Sequence, residues 1–246
     1  MLILEGLVGF VGGFASGLFG IGGGSIRIPL LNLIGFSLIS AFGINLLVLP
    51  VTASIGAISQ RHNIDMKIGS YMILGGSIGT AIGTLIAFSL AASEFWLAIV
   101  FLIASLVAVM ALNVKHISAT ASENLSPTMQ AVTSGTCACN TLTGMRGGSE
   151  GSLFVPLLKL FNVDTHKAIA TSLFAAVFTS IVGVILYWSQ GYLLIVEGVV
   201  VIIGAVIGSR FGSLISLKTK SRSLEMGLSI LIISLAAVTL LNTIFI

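Results

Sequence analysis

Gly20-Ile21-Gly22-Gly23-Gly24-Ser25-Ile26-Arg27-Ile28-Pro29-Leu30-Leu31 returns later in the chain as Gly147-Gly148-Ser149-Glu150-Gly151-Ser152-Leu153-Phe154-Val155-Pro156-Leu157-Leu158. From 20 to 147 and from 29 to 156 the spacing is 127 residues in both cases. The register then continues, with Ala41-Phe42-Gly43-Ile44-Asn45-Leu46 lying over Ala168-Ile169-Ala170-Thr171-Ser172-Leu173. One unit is therefore stated twice, and each copy carries a glycine-rich break in apolar sequence.

Composition sets the medium. Of 246 residues, 56% are hydrophobic and 8% charged, whereas a soluble domain carries about 25% charged residues to cover its surface. The chain is expected to be an α-helical integral membrane protein. A β-barrel is excluded because the apolar runs are continuous rather than alternating. In such a chain, glycine breaks at matching places in two halves point to a transporter binding site.

The start, Met1-Leu2-Ile3-Leu4-Glu5, lacks a basic n-region and reads as mature sequence rather than a cleaved signal. The net charge of +3 is small, and its distribution matters more than its size. Six apolar runs, approximately 38–59, 68–91, 94–113, 166–188, 192–217 and 223–246, are long enough to span the roughly 30 Å hydrocarbon core. Two further units, 2–35 and 128–161, contain the glycine breaks. Each is either one broken crossing or a helical hairpin that dips in and returns.

Basic residues decide between these. If all eight units cross, Arg61, Lys67 and Lys115 oppose Lys167, Lys218, Lys220 and Arg222, against the positive-inside rule. If the broken units are hairpins, all of these and Lys159 share one face, and Glu5, Glu94 and Glu197 mark the other. Each half then makes three crossings, so the second half is inverted relative to the first, and both termini are expected on the extracytoplasmic side. The domain reading is a first transmembrane repeat over 1–113, a polar linker over 114–127 and a second repeat over 128–246.

Backbone amides at a break inside lipid lack helix partners and must find others. At the start of the returning half-helix they present the positive end of its dipole, which suits an anion. The expected contacts are Gly22, Gly23, Gly24 and Ser25 on one tip and Gly147, Gly148, Ser149, Gly151 and Ser152 on the other. Ser25 and Ser152 occupy matching positions, each a helix cap or a ligand donor. The competing reading of either tip is a tight turn with no ligand. Gly17-x-x-Gly20-x-Gly22-Gly23-Gly24 is no dinucleotide fingerprint, since Ser25 stands at the last glycine position and no strand–helix–strand unit surrounds it.

Arg27 and Arg146 lie deepest beside the breaks. Each suits an oxyanion fork or a structural pairing, for Arg146 with Glu150. They are not repeat-equivalent, so the site is asymmetric. Asn45 aligns with Ser172, and with Thr171 these residues line a cavity opposite the tips or bond helix to helix. Gly75, Gly79 and Gly83, with Gly204, Gly208 and Gly212, form small-xxx-small helix-packing stripes. Cys137 and Cys139 have no adjacent base and read as packing residues. His62, His116 and His166 show no metal-ligand spacing. No metal, cofactor or nucleic-acid partner is expected.

The paired Gly-Ile-Gly-Gly-Gly-x-Ile-x-x-Pro-Leu-Leu hairpins, the Ala-Thr-Ser-Leu of 170–173 and the small-xxx-small helices resemble the TauE/SafE family, also called the toluene-sulfonate-uptake permeases. The resemblance covers essentially the whole chain, with the second motif degraded at Gly148-Ser149-Glu150. It implies carriage of sulfur-containing anions such as sulfite, thiosulfate or organosulfonates, usually out of a prokaryotic cytoplasm, from a multi-pass position in the cell membrane.

The chain is thus read as a secondary transporter and not an enzyme. The anion would sit between the tips, contacted by Arg27, Arg146, Asn45, Thr171 and Ser172, with Glu150 a proton-coupling candidate. A passive anion channel and a thiol-dependent membrane enzyme acting on sulfur compounds are the rival classes. Besides substrate and lipid, a homo-oligomer is compatible with the glycine stripes. No Walker motif is present, so direct ATP use is not expected.

Overall fold

A computed structural model describes residues 1–19, 23–113, 127–216 and 221–245. The described residues form ten α-helices and no strand: α1 (Leu2–Phe19), α2 (Gly24–Leu33), α3 (Leu38–Ser59), α4 (Met66–Leu90), α5 (Glu94–Asn113), α6 (Met129–Met145), α7 (Gly151–Leu160), α8 (Thr165–Ser189), α9 (Ile195–Ser216) and α10 (Ser221–Phe245). The 127-residue register holds throughout, and α2 maps onto α7 with both ends matching. The polar linker and the tip residues 20–22, including Gly22, lie outside the described residues.

Start and stop signals repeat with the helices. Ser37 caps α3 by accepting from the Ser40 amide, and its equivalent Asp164 caps α8 by accepting from His166 and Lys167. At the far ends of the short helices, Gly35 and its equivalent Asn162 both take left-handed backbone, with φ of 103° and 57°. The Phe36 amide then reaches the Leu31 carbonyl and the Val163 amide the Leu158 carbonyl, the Schellman closure.

The broken units are hairpins. A methyl on Gly12 would meet Arg27 Cβ at 3.1 Å, and one on Gly135 would meet Leu157 Cδ1 at 3.0 Å. In a straight helix those pairs would lie more than about 20 Å apart at 1.5 Å per residue. Both hairpins have a long first arm and a ten-residue second arm. Such a second arm, about 15 Å long, covers half a hydrocarbon core.

Helix directions establish the inversion. Gly56 of α3 packs on Leu173 of α8, while Gly183 of α8 packs on Leu46 of α3, so these equivalent helices run antiparallel. Gly69 meets Phe174 and Gly76 meets Thr179, so α4 runs parallel to α8. An eight-crossing chain would reverse both relations. Packing is also exchanged between repeats: α1 lies on α9 and α6 on α4, while α2 touches α10 and α7 touches α5.

The glycine stripes make the closest of these contacts. A methyl on Gly75, Gly79 or Gly83 would strike the carbonyls of Thr133, Cys137 or Thr141 on α6, and one on Gly204, Gly208 or Gly212 those of Gly6, Phe10 or Phe14 on α1. They are packing surfaces, as expected. Cys139 packs beside the core around Phe154 and Leu158.

Burial is arranged for lipid. Large apolar side chains such as Ile78, Leu85, Trp96, Ile185, Trp188 and Ile203 face outward, while Arg27, Arg146, Asn45, Asn140 and Glu150 are inside. Helices α3, α4, α5, α8 and α9 each contain a stretch long and apolar enough to cross a membrane, and the described part of α10 adds a shorter one over 229–244. Two ends can be told apart. One carries the first residues of the chain, the Leu38 amide bonded to Glu94, and Asn242 bonded to Asn32. The other carries Arg61, Lys67 and Lys167. We call these the terminal face and the basic face.

Candidate functional site

The second tip is closed by its own backbone. Gly147 stands just past α6 with φ 77°, its amide bonded to the Gly144 carbonyl, and the Gly148 amide bonds to that of Thr143. This is a Schellman closure, and the Ser152 amide is likewise spent on the Ser149 carbonyl. The amides of Gly147, Gly148 and Ser152, expected as anion contacts, are therefore used within the turn. Ser149 is different. It holds φ 96°, a conformation costly for a residue with a Cβ, is fully buried, and its hydroxyl has no partner among the described residues.

Neither matching serine caps its helix. The N-caps are Gly23 and Glu150, without side-chain cap bonds. Instead both hydroxyls face Arg146. This guanidinium, with 1% of its surface exposed, donates from Nη1 to Ser25 Oγ and Ser105 Oγ at 3.3 Å each and from Nη2 to Ser152 Oγ at 2.7 Å. Ser152 Oγ in turn donates a hydrogen bond to the Ser149 carbonyl at 2.7 Å. The expected interaction of Arg146 with Glu150 is present but spans the turn rather than one helix, because Arg146 ends α6 and Glu150 precedes α7.

Arg27 makes the reciprocal link. Its Nη1 donates to Asn45 Oδ1, and Asn45 Nδ2 donates to the Gly147 carbonyl at 2.7 Å. Each arginine thus ties its own hairpin to the other, Arg146 through Ser25 and Arg27 through Asn45. Gly23 is the close approach that lets Arg27 fold back, since a methyl there would lie 2.8 Å from its Nη2. A methyl on Gly24 would collide with Ser149 Oγ and sit 2.6 Å from Asn45 Nδ2. The two tips touch, then, at Gly24 and Ser149.

Not every expected residue joins them. Thr171 accepts from the Asp65 amide at 3.0 Å and belongs to the joint between α8 and the α3–α4 loop. Ser172 is buried, its hydroxyl without a partner among the described residues. Gly151 is the first residue of α7. Among the described residues, buried Glu150 has no hydrogen-bond partner for Oε2, and neither Arg27 nor Arg146 has one for Nε.

The sequence reading missed two groups, one of which carries a signal. Ser105 lies within an unbroken apolar helix and carries no local signal. Asn140 donates to the Gly76 carbonyl at 3.1 Å and to Thr80 Oγ1 at 3.0 Å, and accepts from Thr143 at 3.0 Å. An asparagine inside an apolar run is itself a signal of buried bonding, and it supports the second tip from behind.

Two buried arginines, each with an Nε donor unmet among the described residues and held where two half-membrane hairpins meet inside inverted repeats, point to a helical membrane protein of the transporter class. The model of the family "Sulfite exporter TauE/SafE" matches residues 6–239, and the chain belongs to that family of membrane transporters. A curated relative, the "Probable membrane transporter protein YunE" of Bacillus subtilis (strain 168), is 24% identical over 265 residues, with 97% of each chain covered. No solved structure matches.

Proposed function

We propose that this chain is a secondary carrier of a small sulfur-containing anion, sulfite first among sulfite, thiosulfate and small organosulfonates, working as an exporter or permease. The observation that carries the reading is the reciprocal arginine link between the tips. Two guanidinium groups enclosed in the membrane-spanning bundle, with Glu150 acting on Arg146 alone, leave positive charge that an anionic guest would balance during the cycle. Arg27 Nε, Arg146 Nε and Ser149 Oγ supply the donors that such an oxyanion would take up.

The inverted-repeat architecture supports alternating access as the mechanism. The substrate site lies between hairpins of opposite repeats, and rocking one repeat on the other opens it first to one face and then to the other. Asn45 and Ser25, bonded across the tips, would exchange partners as it does so. Glu150 is the group we assign to proton coupling. The basic face is cytoplasmic by the positive-inside rule, so both termini face out of a prokaryotic plasma membrane. The family name supports sulfite as the first substrate to try.

Proteoliposome flux tests this. Saturable sulfite uptake that shows counter-exchange establishes the carrier. Uptake linear in concentration, without exchange, would mean a channel. No movement of sulfite, thiosulfate or a small sulfonate by folded protein would refute the substrate class.

A further inference from the structure

On α4, Gly76, Thr80, Thr84 and Phe88 stand at four-residue intervals and so share one stripe. That stripe faces α8, which runs parallel to it. A methyl on Gly76 would meet Thr179, one on Gly183 would meet Thr80 Cγ2 at 3.5 Å, and the Phe88 ring lies 4.8 Å from the Tyr187 ring. The register places Thr84 between Gly183 and Tyr187. Thr80 touches the polar group of Asn140 behind the second tip, so the stripe leads from the tips toward the terminal face.

Two buried hydroxyls, one on this stripe and one on the facing α8, have no partner among the described residues. Thr84 Oγ1 and the Tyr187 hydroxyl are both fully enclosed, with 0% of either residue exposed. Beyond them the aromatic rings close up: Tyr187 meets Phe88, Phe88 meets Tyr192 at 5.6 Å, and Tyr187 meets Tyr192 at 6.5 Å. The Tyr192 carbonyl also lies against Gly43 of α3, 2.7 Å from where a methyl would be.

The repeat supplies the comparison. At the equivalent positions on the basic face, Gln60 replaces Tyr187 and Asp65 replaces Tyr192, while Phe211 replaces Thr84. Positions 60, 65 and 211 of the described residues thus do not repeat the Tyr187, Tyr192 and Thr84 chemistry of the terminal face. An inverted repeat supplies the same scaffold at both ends, so this difference is local chemistry rather than a by-product of the fold.

We propose that the hydroxyls of Thr84 and Tyr187 form a second anion station between the tips and the terminal face, and that Phe88, Tyr187 and Tyr192 are the gate closing it. The inference rests on the carrier reading of the tips. Buried hydroxyls with free donors suit an oxyanion in transit: they hydrogen-bond it without the full charge that would hold it fast. The rings exclude water while they are packed, and a shift of α8 against α4 parts them.

The test is thiol accessibility from the terminal face, which needs no transported substrate. In a Cys137→Ala/Cys139→Ala background in liposomes, Thr84→Cys should react slowly with a membrane-impermeant methanethiosulfonate applied from that face. Adding Phe88→Ala or Tyr187→Ala should raise the rate about tenfold, the effect of about 1.4 kcal/mol off a barrier. Tyr187→Phe keeps the ring and should leave the rate low, while weakening the protection that added methanesulfonate, which unlike sulfite does not attack the reagent, gives the introduced thiol. A rate unchanged by both alanine variants, or fast before either, overturns the gate. Protection by methanesulfonate that is the same with Tyr187→Phe overturns the station. Gated labelling with no sulfite flux would sink the substrate reading and leave the gate standing. Flux with ungated labelling would do the reverse.

Discussion

Arg146, at the end of the second hairpin's long arm, donates to Ser25 on the first hairpin's short arm, 121 positions away in sequence and 3.3 Å away in space. With the bonds to Ser105 and Ser152, one guanidinium holds three hydroxyls on three helices. Lysine, a single point charge, cannot reproduce that fork. Arg146→Lys should fold and insert, yet lose most sulfite flux. Equal flux at matched incorporation would place the substrate elsewhere.

Asn45 separates structure from function. Asn45→Ala leaves Arg27 without its acceptor and should cost about 2–3 kcal/mol, the range for losing a buried hydrogen bond to a charged group; thermal unfolding in detergent reads this as a lowered Tm. Asn45→Asp instead offers Arg27 a carboxylate. It keeps an acceptor for Arg27 but loses the donor to the Gly147 carbonyl, so it should lower Tm less than Asn45→Ala does. It also cancels positive charge at the tips and should reduce flux more than the Tm loss accounts for. If the aspartate variant transports normally, charge at the tips is not what binds the anion.

Two glycines should behave differently. Gly35 has left-handed backbone but open space around it, so Gly35→Ala should cost about 1–2 kcal/mol of backbone strain and spare transport. Gly24 has ordinary helical backbone, but its missing side chain is where Ser149 Oγ sits. Gly24→Ala should wedge the tips apart and abolish saturable flux at a stability cost of about 1–3 kcal/mol. Comparing Tm with flux for the pair separates strain from contact between the tips.

Glu150→Gln tests coupling. It retains size and hydrogen bonding but cannot carry a proton. Sulfite uptake driven by a pH gradient should fall to the undriven rate, while sulfite–sulfite exchange continues. An undiminished response to the gradient would remove Glu150 from the coupling role.

Much of this architecture is legible in the sequence for definite physical reasons. The 127-residue repeat divides the helices into two matching sets. The lysines and arginines point to the hairpins, because charge cannot be hidden on the wrong side of a bilayer at little cost. Asn45 and both arginines stand out because polar groups are rare in apolar runs. What sequence could not give is where their bonds go. Ser25 and Ser152 look like caps since both follow a glycine break, but Arg146, from outside the repeat register, takes them. Ser105 and Thr171 fail in opposite directions for one reason. A hydroxyl inside an apolar helix has no local signature of the neighbour it will meet, and only the packing of α5 on α7 and of α8 on the α3–α4 loop decides it.

The most direct measurement is the concentration dependence of sulfite uptake into proteoliposomes for wild type beside Arg146→Gln at equal incorporation. The account predicts saturation for wild type and, for the variant, loss of saturable uptake with the helical fold retained. Saturable uptake of equal affinity in both would contradict an anion held between the two hairpin tips.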